Sequence, residues 1–322
     1  MRILTKSLLG ACGALALTVS AVQAQEAKSA SNRPIEFYNP EGLPRWVYSY
    51  AVSTEGWVKT ASVSQIKPTD RSGDIKAQTA SALVALDKIL AEHGADRGAL
   101  LKVNTTFVGT SLKQTQEISD VLKAYFDAKA ATSNGAIVAA DYPVRTAVGQ
   151  HTLDEANLKV VLDVQFVDMK NTPANLIADA KARAQADTHR ELIFGGVTAQ
   201  QKDFTIEGYP DPALEAKGTI KNLQKILAEA NMTLKNVKSL KVYYVDPEQT
   251  AMAFSSVQLA STDSTFAPEL KASDSKVRAS VESAIKSSLA EAGVSQLPTV
   301  TYEAAAVDCV VQNAVLVEGV AN

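Results

Sequence analysis

An internal repeat constrains the fold of this chain more than any other feature. Lys88-Ile89-Leu90-Ala91-Glu92 returns as Lys225-Ile226-Leu227-Ala228-Glu229, an offset of 137, and the same offset carries Lys102-Val103 onto Ser239-Leu240 and Val108 onto Val245. A gapless match that runs from a helix-period segment into a strand-like one exceeds shared amphipathicity, so the chain reads as a duplicated module. A second echo follows: Tyr142-Pro143-Val144-Arg145-Thr146-Ala147-Val148 has a degraded copy in Leu297-Pro298-Thr299-Val300-Thr301-Tyr302, with the prolines 155 apart. The two offsets differ by 18, which places an insertion of that length in the second copy, within the Ser-, Thr- and Ala-rich stretch Glu248 to Ser275. Aligned on proline, Arg145 faces Val300, so one copy carries a charged group that the other lacks.

In the first copy, Trp46 to Ser64 reads as two short strands with a turn at Thr54-Glu55-Gly56, a hairpin. Ile75, Leu83, Leu86, Ile89 and Leu90 line one face of a helix that Gly94 can stop. Leu101 to Val108 is strand-like, and Ile118 to Phe126 carries Val121, Leu122 and Tyr125 at helical spacing. Extended segments follow near Val144 to Val148 and Leu158 to Val167. Between the copies, Leu176, Ile177, Ala180 and Ala184 suit a helix starting after Pro173. The second copy resumes at Leu192 and ends with strand-like Val307 to Val311 and Ala314 to Val320. The expected partition is a first domain over 35–170, a helical linker over 171–190 and a second domain over 191–322.

Arg2 and Lys6, an apolar run from Leu8 to Val22 and the ending Val22-Gln23-Ala24 have the pattern of a secretory signal peptide over 1–24. The run falls short of the about 20 apolar residues of a spanning helix. Cys12 leaves a lipoprotein as the alternative. Residues 25–34 are small and polar and read as a disordered mature N-terminus. The expectation is a periplasmic or secreted protein with no membrane association after cleavage. Cleavage removes two of the 32 basic residues and none of the 35 acidic ones, so the net charge moves from −3 to −5. That balance opposes a nucleic-acid partner, whose binders display basic surface. Cys309 then has no internal disulfide partner and reads as a buried thiol on a strand.

Several segments together resemble the Rid family, the YjgF-type reactive-intermediate deaminases also called endoribonuclease L-PSP. Tyr48-Ser49-Tyr50-Ala51-Val52 is similar to the family's G-P-Y-S-x-A, and Pro143-Val144-Arg145-Thr146-Ala147-Val148 to its P-A-R-S/T-x-V. The helix around Gln78 to Leu90, Lys102-Val103 and Ala124-Tyr125-Phe126 fall in the family's order. The resemblance implies an α+β fold of two tandem chorismate mutase-like domains, each a mixed sheet with two helices on one face. It also implies a homo-oligomer, a trimer in the family, with ligand clefts between neighbouring domains. The implied ligand is a small 2-imino or 2-oxo carboxylic acid, deaminated without metal or organic cofactor when water attacks the imine carbon and ammonia leaves.

Carried over residue by residue, Arg145 becomes the carboxylate clamp, a task suited to a planar guanidinium donating two parallel hydrogen bonds. Tyr48 becomes a cleft wall with a hydrogen-bonding hydroxyl, assigned with Arg145 to the reaction; Ser62 becomes a strand serine near the ligand. Ser119 falls where the family has a helical asparagine, and Val161 falls where it has an acid in the last strand, with Asp163 two residues on. That departure puts the hydrolytic step in question.

Plainer readings stand beside these. Arg145 could form a structural ion pair with Asp141 or Asp163; Tyr48 could be a core tyrosine; Asp163 could be a solvated strand residue. His93, His151 and His189 lack metal-ligand spacing, and His93 before Gly94 reads as a helix-end residue. No phosphate loop, nucleophile elbow or H-E-x-x-H motif is present. Gly195-Gly196 reads as a site of close backbone approach.

Overall fold

The structure, a computed structural model, describes residues 34–44, 48–109, 112–128, 142–150, 153–245, 275–305, 307–308 and 313–322. The first half contains β1 (Ile35–Tyr38), β2 (Ala51–Glu55), β3 (Thr60–Ile66), α1 (Ile75–Glu92), β4 (Leu100–Val108), α2 (Leu112–Asp127), β5 (Ala147–Gln150) and β6 (Val160–Val167). Two short helices, α3 (Ala174–Ala178) and α4 (Ala180–Arg183), follow. The second half contains β7 (Arg190–Thr198), α5 (Pro212–Glu229), β8 (Val237–Tyr244), α6 (Ser275–Glu291), β9 (Thr299–Ala304), β10 (Val307–Asp308) and β11 (Val315–Ala321).

Local chemistry sets matching boundaries in the two halves. Asp74 caps α1 by accepting from the Ala77 amide, and Asp211, 137 residues on, caps α5 by accepting from Ala213 and Leu214. The helices end at Glu92 and Glu229, the last residues of the repeated pentapeptide. Gly94 supplies the left-handed residue, φ 65°, that closes α1. Each helix then leads through a 3-10 turn, Arg97–Ala99 or Leu234–Asn236, into the long strand of its sheet.

The sheets repeat one another in pairing and register. β4 pairs parallel with β5 and antiparallel with β6, while β8 pairs parallel with β9 and antiparallel with β11. Lys102 bridges Val144 and Ser239 pairs with Thr299; Asn104 pairs with Asp163 and Lys241 with Glu318. Both offsets read from the sequence therefore hold in the strand register. β3 against β6, and β7 against β11, each contain a register shift with a residue of positive φ, Gln65 (59°) or Gly196 (61°).

Each half is thus a mixed sheet with two helices on one face, as the α+β expectation held. α1 and α2 cover a core of Leu86, Leu90, Phe107, Ile118 and Phe166; α5 and α6 cover one of Phe194, Leu223, Ile226, Ile285 and Val317. A third apolar cluster joins the opposite sheet faces, with Leu101, Val144 and Val167 from one sheet and Ile35, Val52 and Ile193 from the other.

Three expectations are corrected. The predicted hairpin over Trp46 to Ser64 does not form: β2 pairs with β1 and β7, whereas β3 pairs with β6 in the other sheet. The sheets consequently do not follow a partition at residue 170. Their orders are β1-β2-β7-β11-β8-β9 and β10-β5-β4-β6-β3, so the chain's first two strands extend the second half's sheet and β10 extends the first's. The linker is not one helix, because Asp179 breaks it between α3 and α4; Leu176 and Ile177 still pack on the inter-sheet cluster. The expected insertion, Asp141, His151 and both cysteines lie outside the described residues.

Candidate functional site at the seam between the halves

Arg145 is placed by the strand-like stretch before β5. Val144 is flanked by backbone on both sides: it bridges Lys102 of β4 and Ser49 before β2, and the Ser49 amide donates to the Pro143 carbonyl at 3.2 Å. This stretch presses against the shifted region of β7. A Cβ on Gly195 would lie 2.7 Å from Thr146 Oγ1, and one on Gly196 would lie 2.4 Å from the Arg145 carbonyl oxygen. The two glycines therefore allow the close backbone approach expected of them, and Gly196 also supplies the left-handed conformation.

Three of the four predicted site residues converge here. The Arg145 side chain is buried, 4% exposed, and its Nη1 donates to Ser119 Oγ at 2.9 Å. Ser119 sits on α2 and donates in turn to the Thr115 carbonyl at 2.7 Å, so the helix fixes the hydroxyl that meets the guanidinium. Tyr48 is buried, and its ring lies 3.2 Å from where a Gly196 Cβ would stand. It packs edge-on against Tyr50 and belongs to the second half's core, which is the core reading of Tyr48.

Ser62 is the exception. It lies on β3, exposed, opposite Gln165 of β6. Three strand spacings separate β3 from β5, about 14 Å across the sheet, so Ser62 does not join the Arg145 cluster. The cause is the displaced β2: the strand read as the hairpin partner of β3 belongs to the other sheet. The candidate acid Asp163 is engaged elsewhere, and the position of the missing acid is buried. Asp163 Oδ1 accepts from the Gln65 amide at 2.8 Å, and Val161 is 1% exposed against β4.

Sequence reasoning missed the acid that does reach this region, Glu318 of β11. Its carboxylate accepts from Lys102 Nζ at 2.8 Å, Asn104 Nδ2 at 2.8 Å and Tyr243 OH at 3.1 Å. The Thr146 hydroxyl also bonds to it, while accepting from the Gly196 amide at 3.1 Å. Asn104 Oδ1 accepts from the Thr146 amide at 3.1 Å. Burial pushes the Glu318 pKa up, but the Lys102 charge and the bonds from Lys102, Asn104 and Thr146 outweigh it and hold the group below its ordinary value. Burial, with the Glu318 charge, pushes the Tyr243 phenol up, so it donates as a neutral hydroxyl. The residue beside Arg145 is thus tied to the second half through a fully engaged carboxylate. The offset of 155 that puts Glu318 on Asp163 was the available signal.

Next to Thr146, on the sheet-facing side, Asn104, Thr106, Asp163, Lys241 and Glu303 line a cavity of about 320 Å³. Lys241 Nζ pairs there with Glu303 at 2.7 Å. Arg145 is not among its lining residues; its guanidinium lies towards α2. His93 caps α1 and meets Asp168 at 3.2 Å. Among the described residues, no group of three or more His, Cys, Asp or Glu could hold a metal, and no helix is long and apolar enough to cross a membrane.

Comparison with known proteins bears on residues 42–166, which match the family described as Endoribonuclease L-PSP. Among solved structures, the chain is similar to the Rid-family protein YyfB of Yersinia pestis, at 20% identity over 42% of this chain and 98% of that one, with a TM-score of 0.35. It is also similar to a YjgF-family protein of Neisseria meningitidis (22% identity, 41% and 93% of the two chains, TM-score 0.27). Yeast Mmf1 is a third (20% identity, 41% and 98%, TM-score 0.27). No curated protein matches the chain significantly.

Proposed function

We propose, for a chain that belongs to the Rid/YjgF (endoribonuclease L-PSP) family through residues 42–166, that Arg145 binds the carboxylate of a small 2-imino or 2-oxo acid. The observation that carries this reading is the buried guanidinium held by Ser119 Oγ of α2, on the residue whose backbone carbonyl packs against Gly196. A guanidinium oriented by a helix-borne hydroxyl offers a planar donor edge of fixed direction, which suits a carboxylate better than an ammonium would. Recognition in a site of low polarity strengthens the charge-assisted bonds, so few groups suffice. The repeated pairing of the halves supports a duplicated Rid-like module in which the second copy, with Val300 in place of Arg145, serves assembly. The signal-like segment supports an exported location.

The proposed reaction is hydrolysis of an imine: water adds to the C=N carbon, the nitrogen leaves as ammonia and a 2-oxo acid remains. A specific observation favours a second reading, binding without turnover. The two acids that stand at this position of the last strands are already bonded, Asp163 Oδ1 by the Gln65 amide and Glu318 by four donors, which favours a site without a water-activating acid. Ammonia release from freshly generated 2-imino acids, measured for wild type and Arg145→Ala, separates the two. Release faster than buffer that disappears in the variant supports deamination. Arg145-dependent binding of 2-oxobutanoate without faster release supports the binder, and absence of both overturns the carboxylate site.

A further inference from the structure

Glu215 is the buried titratable group that the Arg145 site does not use. It lies in the first turn of α5 with no exposed surface, and its Oε2 accepts from the Ala314 amide at 2.7 Å, just before β11. Its other oxygen, Oε1, is buried with no hydrogen-bond partner among the described residues.

The first half shows what this position does. Gln78 stands 137 residues earlier, equally buried, and Lys159 stands 155 before Ala314. Gln78 Oε1 accepts from the Lys159 amide at 2.8 Å, while its Nε2 donates to the carbonyls of Asn157 at 2.8 Å and Arg71 at 3.0 Å. The side chain clamps the loop entering the last strand, and the clamp needs one accepting end and one donating end. A carboxylate has two accepting ends; only the neutral carboxyl has a donor.

We propose that Glu215 is a pH-operated latch on the junction before β11, holding that junction as a neutral carboxyl and releasing it on ionisation. Burial is the main reason the proton is retained, the Ala314 amide opposes it and the nearby Asp211 charge adds to it; together they raise the group to about 7. The other elements packed on α5 are α6, β7 and β11, which present Val281, Ile285, Phe194, Val197, Val315 and Val317 to this core. Glu207, in the loop before α5, is engaged by Lys221 and Gln201. The folded pKa lies above the unfolded one, so the stabilisation is complete below the unfolded value and is lost as pH rises through about 7.

The test compares urea unfolding of wild type and Glu215→Gln from pH 5 to 9, with hydrogen exchange of the Ala314 amide as the local readout. Relative to the variant, the folding constant of wild type should fall by up to about tenfold per pH unit between the unfolded carboxyl value and about 7, levelling off above it, and Ala314 protection with it. A wild-type to variant ratio that stays constant with pH overturns the proposal. Asp211→Asn keeps the helix cap and the carboxyl but removes the neighbouring charge that helps to raise the folded value, so in that variant the loss should level off at lower pH than in wild type. A levelling-off point that does not move overturns the proposal even if Glu215→Gln fails to fold.

Discussion

The irregular regions of β3 and β7 occupy the same place in two sheets of the same topology, yet they are satisfied differently. In the first half the amide of Gln65 is caught by Asp163 of the neighbouring strand, and Ser64 and Gln65 are exposed. In the second half the amide of Gly196 is caught by Thr146 of the other half, and Glu318, the counterpart of Asp163, turns to Lys102 and Asn104. One arrangement closes on itself; the other joins the halves. Two glycines in place of Ser64-Gln65 make the difference, because only a backbone without Cβ lets the Arg145 carbonyl approach.

That contrast can be broken at several points. Glu318→Ala should have the largest effect, about 4 kcal/mol lost in urea unfolding, because it leaves Lys102 without its partner at the seam. The pH dependence of wild type carries the same information. The Glu318 pKa is lowered on folding, so its contribution is present above the unfolded carboxylate value and is lost as pH falls through the folded one. Acid unfolding should therefore be shallower in a Glu318→Gln variant. Gly196→Ala comes next, at roughly 3 kcal/mol, from a left-handed conformation and a contact with the Arg145 carbonyl.

The first half should respond far less. Asp163→Ala removes one bond to an exposed residue's amide and should cost about 1 kcal/mol. If it costs as much as Glu318→Ala in parallel urea titrations, the two regions are not functionally distinct. Gln65→Gly should be smallest: relief of the positive φ gains about 1 to 2 kcal/mol, against about 0.5 to 1 for the added freedom of the unfolded chain. A modest rise in unfolding midpoint is expected.

Much of this architecture was legible in the sequence because it is local or periodic. The pentapeptide repeat and the two offsets set α1 against α5 and strand register against strand register. Arg145 and Ser119, both carried over from the family resemblance, meet in the structure. The swap of β2 was not, because Tyr48 to Glu55 has the same alternation whichever sheet it joins, and pairing partners are chosen by tertiary contacts. Ser62 was misplaced for that reason. Glu318 was missed because the acid was sought in the first copy's last strand, whereas contact between the halves brings it from the second.

The central claim is that Arg145 is a carboxylate clamp whose loop is positioned across the seam by Thr146. Calorimetric titration of 2-oxobutanoate into wild type, Arg145→Lys and Thr146→Val tests it most directly. The account predicts binding to wild type, loss of it in Arg145→Lys because the planar fork is gone, and affinity at least about tenfold weaker in a folded Thr146→Val. No binding to wild type, or equal affinity in wild type and Thr146→Val, would contradict it.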